Sequence, residues 1–83
     1  MFIELHKTFT EELVFIKVEN ILYIRDLFYC KNGDFKTVRG AEVCLNGYDF
    51  VVDTKGRSHK TRIKFSVIET TEQILNLLSE ILK

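Results

Sequence analysis

The chain has 83 residues, of which 46% are apolar and ten are aromatic. This length excludes two separate domains, and this composition excludes a disordered tail, so we expect one packed domain over residues 1–83. The net charge is zero, but residues 55–64 carry five basic side chains and no acidic one, which is the one anomaly in the charge distribution.

Neither a membrane span nor an export signal is visible in the sequence. No apolar run approaches the ~18 residues of a span, and residues 1–10 lack a basic segment followed by a long apolar stretch. We therefore expect a cytoplasmic protein with no membrane contact. Cys30 and Cys44 are the only cysteines, and we expect both to be reduced in that compartment.

Glycine and asparagine punctuate the chain at intervals of about seven to nine residues, which is the spacing of a β-meander. The β-branched and aromatic segments between them predict strands over residues 2–8, 13–18, 21–30 and 35–38, with a bend at Glu19-Asn20 and a turn at Asn32-Gly33. A helix beginning at Thr10 is the alternative for the second segment. We prefer a strand because consecutive β-branched and aromatic side chains crowd a helix.

Asn46-Gly47, between alternating apolar runs, is the strongest local signal for a two-residue β-hairpin. Such a turn places six apolar side chains on one face in three cross-strand pairs, which are Leu45 with Tyr48, Val43 with Phe50, and Ala41 with Val52. A slip of one residue would scatter them over both faces, so turn type and apolar pattern support the same register.

A second hairpin is predicted with a four-residue loop over residues 55–58. It continues the apolar face through the pairs Val52 with Thr61, Phe50 with Ile63, and Tyr48 with Phe65. On the other face the same register places Asp53 opposite Lys60 and Asp49 opposite Lys64. These two pairs would neutralise part of the basic segment.

The last segment predicts an amphipathic helix. Thr70 and Gln73 form a capping box, and Glu72 suits the positive N-terminus of a helix. The apolar residues span about 160°, wider than the ~100° stripe that faces one core; they are Ile74, Leu75, Leu77, Leu78, Ile81 and Leu82. The predicted fold is therefore α+β, an antiparallel β-meander of about five to six strands, with a barrel-like closure as one option, and one C-terminal helix.

The basic segment is the first candidate functional feature. Lys55, Arg57, His59 and Arg62 remain uncompensated in the predicted register, and they could bind nucleic acid or a small anion such as a nucleotide. The alternative is a solvated strand whose charges are paired, because four such residues make a weak electrostatic footprint.

A protein interface is the second candidate. The wide arc of the helix and the apolar residues on the outer sheet face predict contacts through Val51, Ile68, Leu75 and Leu82, most simply in a homo-oligomer. The alternative is that the N-terminal strands cover this surface.

Catalysis is not expected. Neither His6 nor His59 has a carboxylate partner nearby in sequence, no glycine-rich phosphate loop is present, and the serines lie in no nucleophile motif. Cys44 and His59 could meet in space, although Cys44 is more simply a small apolar strand residue. The cysteines and histidines form no zinc spacing, so we expect no metal and no cofactor.

Two stretches, IKVENILYI over residues 16–24 and VIETTEQILNLL over residues 67–78, resemble small flagellar FlbD-like proteins and similar short uncharacterised proteins of bacteria and phages. The resemblance covers about a quarter of the chain and implies a compact sheet-plus-helix fold without catalytic residues. The resulting expectation is a non-enzymatic interaction module, probable partners being a second copy of the chain and a host protein, with binding of nucleic acid or a nucleotide as the alternative.

Overall fold

The computed structural model describes residues 1–30 and 35–82. Within them the chain forms five strands, a short 3-10 helix and one α-helix: β1 (Phe2–His6), β2 (Leu13–Lys17), the 3-10 helix (Val18–Asn20), β3 (Ile21–Cys30), β4 (Thr37–Val52), β5 (Ser58–Val67) and α1 (Thr71–Ile81). This confirms the α+β class. The turn predicted at Asn32-Gly33 lies outside the described residues.

The strands lie in two antiparallel sheets, one with the order β1-β2 and the other with the order β3-β4-β5. The backbone N–H of Thr8 donates to the carbonyl of Ser66 at 2.9 Å, and that of Ile68 donates to the carbonyl of His6 at 2.9 Å. The end of β1 therefore lies alongside the end of β5. These contacts do not close a ring of strands, so the barrel-like option is not confirmed.

The first hairpin contributes alternate side chains to the core. Ile3 and Leu5 of β1 are buried, as is Ile16 of β2, whereas Phe2 and Phe15 are exposed. Residues 13–17 form a strand, so the alternative of a helix beginning at Thr10 is wrong. The β-branched and aromatic run packs one of its faces against the core and leaves the other in solvent, as a pleated strand requires.

The hairpin predicted at Asn46-Gly47 is wrong, because β4 continues through both residues as one strand. Val43 pairs with Ile24 of β3 on one side and with Phe65 of β5 on the other. Folding back at residue 46 would replace one of these long-range partners. The local preference for a turn therefore gives way to strand pairing, and it leaves only a register shift between Cys44 and Tyr48.

The predicted register of the second hairpin is wrong by three residues. Phe50 pairs with Lys60 rather than with Ile63, around a loop over residues 53–57 in which Gly56 has a φ of +78°. Because side chains alternate between the faces of a strand, a shift by an odd number of residues moves every side chain of β5 to the other face. The aspartates consequently do not lie opposite the lysines as predicted.

The helix begins as the sequence predicts. The Thr70 hydroxyl oxygen accepts from the Gln73 backbone N–H at 3.3 Å, and Gln73 Oε1 accepts from the Thr70 backbone N–H at 2.9 Å. Ile74 is the fully buried helix residue and joins a core that includes Leu5, Val43 and Val67. In the described part of the chain, no helix has the length and apolar character to cross a membrane.

Candidate functional site

The outer parts of β4 and β5 form a two-stranded arm, defined here as residues 48–52 paired with residues 58–62. The described pairs of β3 end at Leu45, so the arm has no third strand from that side. Its apolar side chains are exposed as a result: Phe50 is 69% exposed, Val52 67% and Tyr48 48%. The arm therefore presents apolar and aromatic surface outside the core.

One face of the arm combines aromatic and basic side chains, and we call it the arm face. It consists of Tyr48, Phe50 and Val52 from β4 and their partners Arg62, Lys60 and Ser58 from β5. The Lys60 ammonium lies 4.0 Å from the centre of the Tyr48 ring, and the Arg62 guanidinium carbon lies 4.8 Å from it. These cation–π contacts hold both cations beside the aromatic surface.

The two cations on the arm face are not neutralised by the aspartates assigned to this segment. Asp49 Oδ1 accepts from the backbone N–H of Phe50 at 2.9 Å, and Asp53 faces the loop. Among the described residues, neither Lys60 nor Arg62 forms an ion pair with a carboxylate. Residues 48–64 carry five basic and two acidic side chains, so the arm is positive on a chain of zero net charge.

Asp53 organises the loop at the tip of the arm. Its Oδ1 accepts from the backbone N–H groups of Lys55 and Arg57, each at 2.9 Å, and its Oδ2 accepts from His59 Nε2 at 2.8 Å. The hydrogen bond from His59 is the main reason that the pKa of Asp53 is lowered, and the backbone donors lower it further. Asp53 therefore fixes the loop as a charged carboxylate.

The four residues predicted to bind an anion do not form one site. Arg57 and His59 both interact with Asp53, the Arg57 Nε atom at 3.6 Å, and Lys55 lies in the loop. Arg62 lies on the arm face instead. The residues that sequence reasoning missed are Tyr48, Phe50 and Lys60, since their alignment with Arg62 depends on the register.

The residues predicted for a protein interface lie on three different elements. Val51 is 51% exposed on the arm, opposite His59, and Ile68 is partly buried in the link between β5 and α1. Leu75 and Leu82 are 58% and 69% exposed on the helix. They are seven residues apart, so they lie on one side of the helix, within about 20° of each other.

Both histidines have carboxylate partners, which the sequence-based expectation missed. His6 Nδ1 lies 2.8 Å from Glu69 Oε2, and His59 contacts Asp53 as described above. Glu69 is 63 residues from His6 in the chain, so only the fold brings the two together. Cys44 is buried opposite Lys64 and His59 lies opposite Val51, so β4 and β5 separate Cys44 from His59.

The cysteines and acidic residues do not assemble into a metal centre in the described ranges. Cys30 is an exposed free thiol and Cys44 a buried one. Within residues 1–30 and 35–82, no group of three or more His, Cys, Asp or Glu side chains is arranged to hold a metal ion.

Comparison with known proteins gives no relative from which a role could be inferred. The resemblance to flagellar FlbD-like and phage proteins stays a prediction. No family model, no curated protein and no solved structure matches this chain.

Proposed function

We propose that this domain is a non-enzymatic binding module and that the arm face holds single-stranded nucleic acid. The observation that supports this proposal is the position of Lys60 and Arg62 beside Tyr48, next to the exposed ring of Phe50, without a carboxylate partner in the described chain. Basic and aromatic side chains that alternate on a surface are typical of proteins that bind single strands.

Each part of the arm face has a separate task in this proposal. Lys60 and Arg62 bind backbone phosphates, because their charges are not already neutralised. Phe50 offers its exposed ring to a base, and stacking of this kind contributes ~1–3 kcal/mol per base. Tyr48, whose ring lies under both cations, positions them.

The test is a titration of a short labelled oligothymidylate, followed by fluorescence anisotropy over a range of salt concentrations. We expect the double variant Lys60→Ala/Arg62→Ala to weaken binding and to lower the slope of log affinity against log salt by about 2, one for each lost phosphate contact. Phe50→Ala should cost about 1–3 kcal/mol of binding free energy with little change in that slope.

Lys17→Ala is the matched control, because Lys17 is exposed on β2, away from the arm. It should bind the oligonucleotide as the unmodified chain does. The proposal fails if the unmodified chain does not bind at low salt, or if Lys17→Ala weakens binding as much as the double variant.

A second candidate function is self-association through the helix, in a cytoplasmic accessory protein of a bacterium or phage that also binds a host protein. The exposure of Leu75 and Leu82 on one side of α1 favours it, because adjacent exposed leucines on a helix are typical of a helix-to-helix contact. Val51 and Ile68 remain proposed contacts for a host partner.

Light scattering at tens of micromolar protein tests this second function. We expect a mass of at least two chains, which falls to that of one chain in the double variant Leu75→Gln/Leu82→Gln. Leu22→Gln is the control, since Leu22 is 48% exposed on β3. A monomeric mass for the unmodified chain would rule out self-association.

A further inference from the structure

A cleft of about 600 Å³ lies at the end of β5 opposite the arm, between His6, the link that follows β5, and one side of α1. Its volume is in the range of ~300–1,000 Å³ that is usual for small-molecule sites. Ile68 and Leu77 provide its apolar surface. The cleft shares no residue with the arm face.

Glu69 is held firmly in this cleft. Its Oε1 accepts from the His6 backbone N–H at 2.9 Å, and its Oε2 lies 2.8 Å from His6 Nδ1. The side chain of Glu69 is only 17% exposed. A carboxylate only accepts hydrogen bonds, so Nδ1 donates and the neutral imidazole keeps Nε2 as an acceptor.

The cleft is rich in hydrogen-bond acceptors and negative charge. Glu80 of α1 supplies a second carboxylate, and Asn76 supplies an amide. Gln73 also contributes, although its Oε1 already accepts from the backbone of Thr70. No lysine or arginine is among the described residues that line it.

We propose that this cleft binds a small organic cation, a primary amine attached to an apolar body. The ammonium group is placed between Glu69 and Glu80, where it donates to the carboxylates and to His6. The apolar body covers Ile68 and Leu77. An anion is disfavoured by the two carboxylates, and a purely apolar ligand would leave both of them without a partner.

Two-dimensional NMR of the 15N-labelled chain during titration with phenethylamine tests this proposal. We expect saturable shifts at the amides of Glu69, Asn76 and Leu77, with no comparable shifts on the arm. 2-Phenylethanol, which has the same apolar body and no charge, should bind at least several-fold more weakly.

Glu80→Gln should weaken phenethylamine binding by about two- to fivefold, the effect of one solvent-accessible ion pair. Glu4→Gln is the matched control, because Glu4 is exposed on β1 and outside the cleft. Folding of both variants is checked from the unperturbed remainder of the spectrum. Non-saturable shifts, equal binding of the alcohol, or an equal loss in Glu4→Gln would overturn the proposal.

Discussion

Replacing Gly40 with alanine should lower the free energy of unfolding by about 1–3 kcal/mol, the usual cost of forcing atoms into a packed site. A Cβ atom at this position would lie 2.4 Å from the carbonyl oxygen of Val67 and 3.0 Å from Tyr29 Cε1. The first neighbour is backbone at the end of β5, next to the buried core, so it cannot move aside as a flexible side chain would. Urea unfolding followed by circular dichroism measures the change.

Gly47→Ala is the matched control for this variant. Its Cβ would approach only the flexible end of Ile63, with 3.3 Å to Cδ1. Among the described glycines, Gly56 is the one with a positive φ, so Gly47 has a backbone conformation that alanine also adopts. We expect a change within about 1 kcal/mol.

This control also tests the continuous β4 strand. A two-residue turn at Asn46-Gly47 of the usual hairpin type would require a positive φ at Gly47, which alanine adopts with strain. A loss of stability in Gly47→Ala as large as that in Gly40→Ala would therefore contradict the continuous strand.

Leu5→Ala should destabilise the domain by about 2–5 kcal/mol, the range for removal of a fully buried leucine side chain. Leu5 has no exposed surface and belongs to the core together with Ile16, Val67 and Ile74. The substitution leaves a cavity at the junction of both sheets and the helix. A loss of this size is a large share of the ~5–15 kcal/mol by which domains are usually stable.

Leu13→Ala on the same hairpin is the control, because Leu13 lies on the outer face and is 43% exposed. We expect thermal unfolding to change little in this variant and the melting temperature to fall clearly in Leu5→Ala. Similar losses in both would show that β1 and β2 pair with their faces exchanged, as a shift of one residue produces.

The correct sequence-based predictions concern elements that are specified by neighbouring residues. The capping box of Thr70 and Gln73 forms as expected, since its two hydrogen bonds join residues three apart. The strand predicted over residues 21–30 has the observed bounds, Ile21–Cys30. Apolar periodicity is also local, and it placed the helix and the first hairpin.

The incorrect predictions concern β4, where partners distant in the chain compete with a local turn. Asn46-Gly47 favours a hairpin over a few residues, but pairing of β4 with both β3 and β5 involves many more backbone hydrogen bonds. The loop at Asp53 and the shift near Cys44 then set the register of the arm. No periodicity in the sequence distinguishes that register from the predicted one.

The candidate sites depend on the same long-range decisions. The basic segment was visible from composition, but its aromatic partners Tyr48 and Phe50 became apparent only in the observed register. The contact between His6 and Glu69 was not predictable, because their separation of 63 residues leaves no local signal.

By itself, the sequence determined the elements whose causes are local: a capped amphipathic helix, strands with alternating or β-branched side chains, and a basic stretch over residues 55–64. The tertiary structure decided which strands pair, in which register, and therefore which charges are neutralised. The physical reason is that side chains alternate along a strand, so an odd shift in pairing moves Lys60 and Arg62 from the aspartates to Tyr48.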